Sequence, residues 1–176
     1  MDETKKRYTQ EWVDRNYAMH QRLAAVQAIG VRPRLEDMPV LRAALSDEYD
    51  ATARYAAHAL KKLGSRASEA VDDLVAAATM PWELGCPQRF PDAMEALVRI
   101  APSYPRLTAI CQHALTCQNY GIQKAAVVSL AEIGTPEAHD ILRDVDKFRD
   151  ISIQCKQWDN LMAKVLGSLK ASPKSK

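Results

Sequence analysis

The sequence predicts an all-α chain built as an array of stacked helix pairs, and three observations carry that prediction. The first is the placement of glycine. Four of the six glycines follow an aliphatic residue at the close of an amphipathic run: Ile29-Gly30, Leu63-Gly64, Ile133-Gly134 and Leu166-Gly167. Glycine takes the left-handed conformation without a Cβ clash, so in that position it signals a helix C-terminus. The separations are 34, 70 and 33 residues, and Ile100-Ala101 divides the long gap into 37 and 33. Five helix ends at so regular a period mark repeating units.

The second observation is a register. The residues one, four and seven places before each closing position are Ile29, Val26 and Leu23, then Leu63, Leu60 and Ala57, then Ile100, Leu97 and Met94. The last two units give Ile133, Leu130 and Val127, then Leu166, Ala163 and Asn160. Steps of three stay on one helix face, so this column is expected to be a buried stripe turned towards the neighbouring units. Asn160 breaks it, in the terminal unit, where an outer face can be wet. The third observation is that no run of β-branched alternation bounded by turns occurs, which predicts no strand.

In chain order, a first helix closes at Ile29. Glu36-Asp37-Met38-Pro39 opens the next, with Val40, Leu41, Ala44 and Leu45 apolar. Proline is tolerated in a first turn, which places that start near Asp37. The helix closing at Leu63 follows. Ser68 is expected to cap a run holding Val71, Leu74, Val75 and Ala78, with Glu69 as a favourable charge near its N-terminus. A stiff connection from Met80 to Pro91, with three prolines, leads to the helix closing at Ile100. Ser103 precedes Leu107, Ile110, Cys111 and Leu115, and the helix closing at Ile133 comes next. Thr135-Pro136-Glu137 is a cap followed by a first-turn proline, leading to Ala138, Ile141, Leu142 and Val145. With the helix closing at Leu166 this makes eight or nine helices. They form one domain over residues 1–170, followed by a basic solubilising tail at 171–176.

The segment from Asp47 to Gly64 resembles the second helix of a HEAT-like repeat. It carries an Asp before the helix (Asp47), an Arg inside it (Arg54), the pair Ala56-Ala57 and a closing Leu63-Gly64. Residues 123–134 repeat the pattern with Lys124 in the Arg position, whereas the other units hold His20, Pro91 and Gln157 there. The resemblance extends by spacing over residues 12–167. It implies a right-handed α-solenoid of about four to five helix-pair repeats, with the second helices lining the concave side. Each unit cannot bury its stripe alone, so stability is a sum over interfaces. An aspartate at the turn before the helix can bond the arginine within it, so Asp47 and Arg54 are expected to form a structural pair.

Composition and charge narrow the function. The chain carries 24 Lys and Arg against 22 Asp and Glu. Residues 31–80 hold seven positive and eight negative side chains and residues 81–134 hold four of each. A phosphate-tracking surface needs its cations clustered, so nucleic acid is a disfavoured partner. No stretch approaches the length of apolar sequence that spans a bilayer, so no membrane partner is expected. The first residues show no apolar leader, and no two of Cys86, Cys111, Cys117 and Cys155 have CxxC spacing. The cysteines are therefore expected as free thiols in a reducing cytoplasm. His113 and Cys117 stand four apart, but zinc needs three or four ligands, and no metal site or cofactor is expected. Neither a nucleophile elbow nor a P-loop occurs, and no catalytic residue is assigned.

What remains is a non-catalytic scaffold whose expected partner is another protein. The finer expectation is a cytoplasmic inhibitor or immunity protein that neutralises a toxin or enzyme. The resemblance leaves two alternatives open, a bilin-lyase-like chaperone or enzyme and a HEAT-like nucleic-acid-binding protein. The candidate binding face takes the positions nine, six and two before each closing residue. These give Tyr55, His58 and Lys62, then Asp92, Glu95 and Arg99, with Ala125, Val128 and Glu132 in the fourth unit. In the first unit they are Gln21, Ala24 and Ala28, and in the last Trp158, Leu161 and Val165. Trp158, outward-facing by its position, is expected to need either a cap or a partner to cover it. Trp82 and Phe90, in the proline-rich connection, either lid the interface between repeats or form a second candidate site, since loops on rigid scaffolds commonly carry function.

Overall fold

The computed structural model describes residues 10–80, 89–117, 119–145 and 156–171. Among the described residues the chain forms nine α-helices and no strand. They are α1 (Gln10–Val31), α2 (Met38–Ala44), α3 (Asp50–Leu63), α4 (Val71–Thr79), α5 (Arg89–Ile100), α6 (Leu107–Leu115), α7 (Tyr120–Ile133), α8 (Pro136–Arg143) and α9 (Lys156–Ala171). Short 3-10 turns occupy Leu35–Asp37 and Gly64–Ala70. Helices α1, α3, α5 and α7 pack side by side in a row, and α2, α4 and α6 back α3, α5 and α7 in turn. At the end, α8 lies on α7, and α9 packs against both.

The apolar column builds this row. Val26, Ala57, Leu60, Met94, Leu97, Val127 and Leu130 are all buried, while Ile29 and Ile133 are half-covered. Helix α5 sits in the middle of the row and is the most enclosed, with Phe90, Ala93, Met94, Ala96, Leu97, Val98 and Ile100 buried. Burial of a leucine or phenylalanine side chain contributes roughly 1.5–3 kcal/mol, so this shared column carries the stacking.

Several helix ends follow their local sequence signals, and others do not. Asp37 precedes α2, with Pro39 in its first turn. Thr135 caps α8 by accepting the Ala138 N–H at 3.2 Å, and Asn119, a cap not anticipated, accepts the Ile122 N–H at 3.2 Å before α7. Gly64 and Gly134 take positive φ, 60° and 65°, as helix-closing glycines do. Gly30 and Gly167, by contrast, lie inside α1 and α9. Pro33 offers a better stop for α1, because the residue before a proline is pushed out of the helical region. Ser68 is not the cap of α4. It lies within the 3-10 turn, α4 begins three residues later at Val71, and Asp72 and Asp73 supply the negative charge of its first turn.

The terminal unit departs from the column. In α9 the buried residues are Trp158, Met162 and Val165, whereas Asn160 and Ala163 are exposed. Its helix is rotated so that the largest apolar side chain faces inwards. The Trp158 ring meets that of Tyr120 edge-on, with centroids 6.3 Å apart.

Candidate protein-binding face

Ion pairs link the units along the row. Arg22 on α1 bonds Asp47, Nε to Oδ2, at 2.6 Å and reaches Glu48 at 3.2 Å. Arg54 on α3 bonds Asp92 on α5 at 2.6 Å. Arg89 on α5, buried, returns to Asp50 on α3 at 2.8 Å and also donates to the Asp47 carbonyl. The expected Asp47–Arg54 pair is therefore replaced by pairs that cross between units. Asp47 is taken by the preceding unit, and the long Arg54 side chain reaches outwards to the following one.

These contacts set the local electrostatics. Burial by itself would raise the Asp47 carboxyl. The hydrogen bonds from Arg22 and the Tyr49 N–H, together with the Arg22 and Arg89 charges, outweigh it and hold the carboxyl below its ordinary value. The bond to Asp92 holds the Arg54 guanidinium above its ordinary value despite partial desolvation. Burial pushes the Cys111 thiol up to about 12, which keeps it protonated and unreactive. Cys117 is half-buried and His113 is exposed, whereas Cys86 and Cys155 lie outside the described residues.

The candidate positions on α3, α5 and α7 are brought together on one open face. Tyr55 is 44% exposed and Val128 37%. Lys62, Glu95, Arg99 and Glu132 are exposed, while His58, Asp92 and Ala125 are half-buried between neighbouring helices. His58 Nε2 lies 3.1 Å from Asp92 Oδ1, and Lys61 Nζ lies 2.8 Å from Glu95 Oε1. Lys62 donates to the Gly30 carbonyl near the end of α1. A groove of about 510 Å³ runs between α5 and α7, with Pro91, Ala125 and Val128 as its apolar lining and Asp92, Glu95, Lys124 and Glu132 as its charges. A wider hollow of about 1090 Å³ lies at the C-terminal ends of the three helices, where Lys61, Lys62, Arg66 and Arg99 meet Glu95 and Glu132. Gln21, Ala24 and Ala28 on α1 are also exposed.

Two residues expected at the binding site are not on this face. Trp158 is 2% exposed and Phe90 fully buried. Both are core residues, because large aromatic surface is worth more inside the stack than at its edge. Phe90 belongs to the first turn of α5 and not to a loop. Trp82 lies outside the described residues. Sequence reasoning missed Arg66 and Lys61 as lining groups and Arg22 and Arg89 as ladder members. The last two stand two residues from His20 and Pro91, which occupy the motif's arginine position.

Residues 122–146, which hold most of α7 and all of α8, match the family model described as the PBS lyase HEAT-like repeat. No curated protein and no solved structure matches the chain. The match covers about one unit, and the helix pairs before it repeat the same pattern. This is a HEAT-like repeat fold, an all-α helical scaffold. Among the described residues, no helix is long and apolar enough to cross a membrane.

Proposed function

We propose that this chain is a non-catalytic scaffold that binds another protein on the open face of α3, α5 and α7, as a cytoplasmic inhibitor of a toxin or enzyme. The observation that carries this reading is the composition of that face. The face carries an exposed tyrosine, Tyr55, and an exposed arginine, Arg99, beside a groove between α5 and α7 lined by Pro91, Ala125 and Val128 and by charges of both signs. Tyrosine and arginine are frequent interface anchors, and mixed charges suit a complementary protein surface better than a phosphate backbone. The inhibitor role rests on the resemblance alone, in that a helical repeat with no assigned catalytic group works by occupying its partner.

The test begins with capture of the partner from native lysate by the wild-type chain. The purified partner is then titrated against Tyr55→Ala, Arg99→Glu and Val128→Asp, with Gln112→Ala on the exposed side of α6 as control. Affinity should fall at least tenfold for the first three and stay unchanged for the control. Wild-type affinity in all three folded face variants contradicts the assignment.

A further inference from the structure

On the open face, the α3–α5 seam holds an arrangement that local spacing could not reveal. His58 and Asp92 are 34 residues apart on neighbouring units whose spacing is 37, so Asp92 sits one helical turn earlier in its unit, and the stacking of α3 on α5 places the two side by side. On α5, Asp92 and Glu95 are three residues apart and therefore share a helix face. One donor atom from each of His58, Asp92 and Glu95 lies within 4.8 Å of the other two. Ligands about 2.1 Å from a tetrahedral zinc ion stand roughly 3.4 Å apart. The 3.1 Å contact between His58 and Asp92 is already at that scale, and the exposed Glu95 carboxylate closes the remainder by moving roughly 1.4 Å at most.

The arrangement has support behind it. Arg54 holds Asp92 Oδ2 at 2.6 Å while Oδ1 faces His58, and the Asp92 side chain is only 12% exposed. A carboxylate fixed through its other oxygen is how metal-binding side chains are oriented by their surroundings. Glu95 is held less firmly. Its partner Lys61 is half-buried and Glu95 exposed, and a pair at the surface contributes little. Both carboxylates also line the groove between α5 and α7, so a cation here would keep a coordination position open to it.

We propose that His58, Asp92 and Glu95 form a three-ligand site for a divalent cation of the zinc class, joining α3 to α5 with its fourth position facing the groove. One imidazole and two carboxylates match the nitrogen and oxygen donors such ions take, and an imidazole ligand favours zinc over magnesium. Two charged neighbours modulate it in opposite ways. Arg54 orients Asp92, whereas Lys61 competes for Glu95. Removing the Lys61 ammonium should therefore strengthen binding, an effect with the opposite sign to loss of a ligand.

The experiment is calorimetric titration of zinc chloride into the chelator-treated full chain, with thermal melts in parallel. One equivalent should bind at micromolar concentration and raise the melting temperature. His58→Ala and Glu95→Gln should each weaken binding at least tenfold, and Lys61→Ala should tighten it. Retained melting without zinc shows that each variant folds. Absence of binding overturns the proposal. So does undiminished binding in folded His58→Ala, which would place the ion on the cysteines, or weaker binding in Lys61→Ala. Equal heats with magnesium chloride also overturn it, because the imidazole would then have no part.

Discussion

Helix α5 has two neighbours in the row, and it meets them differently. Towards α3 the seam is polar: Arg54–Asp92, His58–Asp92, Lys61–Glu95 and Arg89–Asp50 all cross it. Towards α7 no ion pair forms among the described residues. There α7 contributes small and apolar residues, with Ala126, Val127 and Ser129 buried, and the buried Gln123 amide turns away to donate to the Leu115 carbonyl on α6. The same buried column runs through both seams. Apolar contact makes units stack, but it is non-directional. Charged hydrogen bonds are directional, so the α3–α5 seam carries a fixed register that the α5–α7 seam obtains from shape alone. The open groove and the candidate binding face lie where the polar seam gives way to the apolar one.

The largest effect should be common to both seams. Leu60→Ala, Leu97→Ala and Leu130→Ala remove fully buried side chains and should each cost about 2–5 kcal/mol by urea denaturation. A much smaller cost at Leu130 than at Leu97 would mean that the column is not continuous. Next comes the polar seam itself. Arg89→Ala leaves Asp50 and the Asp47 carbonyl without their cation and should cost about 1–3 kcal/mol. Lysine should rescue this only partly, since it lacks the forked donors that serve both acceptors.

Acid should act on the link between α1 and α3. Asp47 is held below its ordinary value, so its ionised form is favoured by folding. That contribution is complete above the unfolded value, about pH 4, and is lost as pH falls through the lower folded value. Asp47→Asn should be less stable at neutral pH and lose less stability on acidification. Urea midpoints of the two proteins that fall in parallel over this range would contradict the role given to Asp47. The smallest effect is expected from Lys61→Ala, whose partly exposed pair with Glu95 should change stability by no more than about 0.5 kcal/mol.

Much of the fold was legible because it rests on local rules. The step of three in the column, Pro39, Thr135 and the closing glycines Gly64 and Gly134 each report backbone geometry within a turn or two. The errors fall where neighbours decide. Gly30 and Gly167 carry the same local signature as Gly64, but their helices continue. The column assumes a neighbour on each side, and at the end of the row the bulk of Trp158 instead sets which face of α9 is buried. Phe90 belongs by local sequence to the proline-rich connection, yet a proline one residue later is compatible with a helix's first turn, as Pro91 shows in α5.

The candidate face was legible at Tyr55, Glu95, Arg99 and Val128 because exposure follows from the helix period. The partners across it were not. A motif assigns an arginine to a position, as it did for Arg54, but the reach of the side chain decides whether it bonds within its own unit or the next. His58 and Asp92 hold different positions in their units and are brought into contact only by the stacking of α3 on α5.

Whether charged pairs cross between units is tested most directly by two double-mutant cycles that share Arg54→Ala, one with Asp92→Ala and one with Asp47→Ala. Contacting residues couple by about 0.5 kcal/mol or more, and separated ones add independently. Coupling between Arg54 and Asp92, with none between Arg54 and Asp47, is the predicted result. Coupling to Asp47 with none to Asp92 would return the arginine to its own unit and contradict the inter-unit ladder.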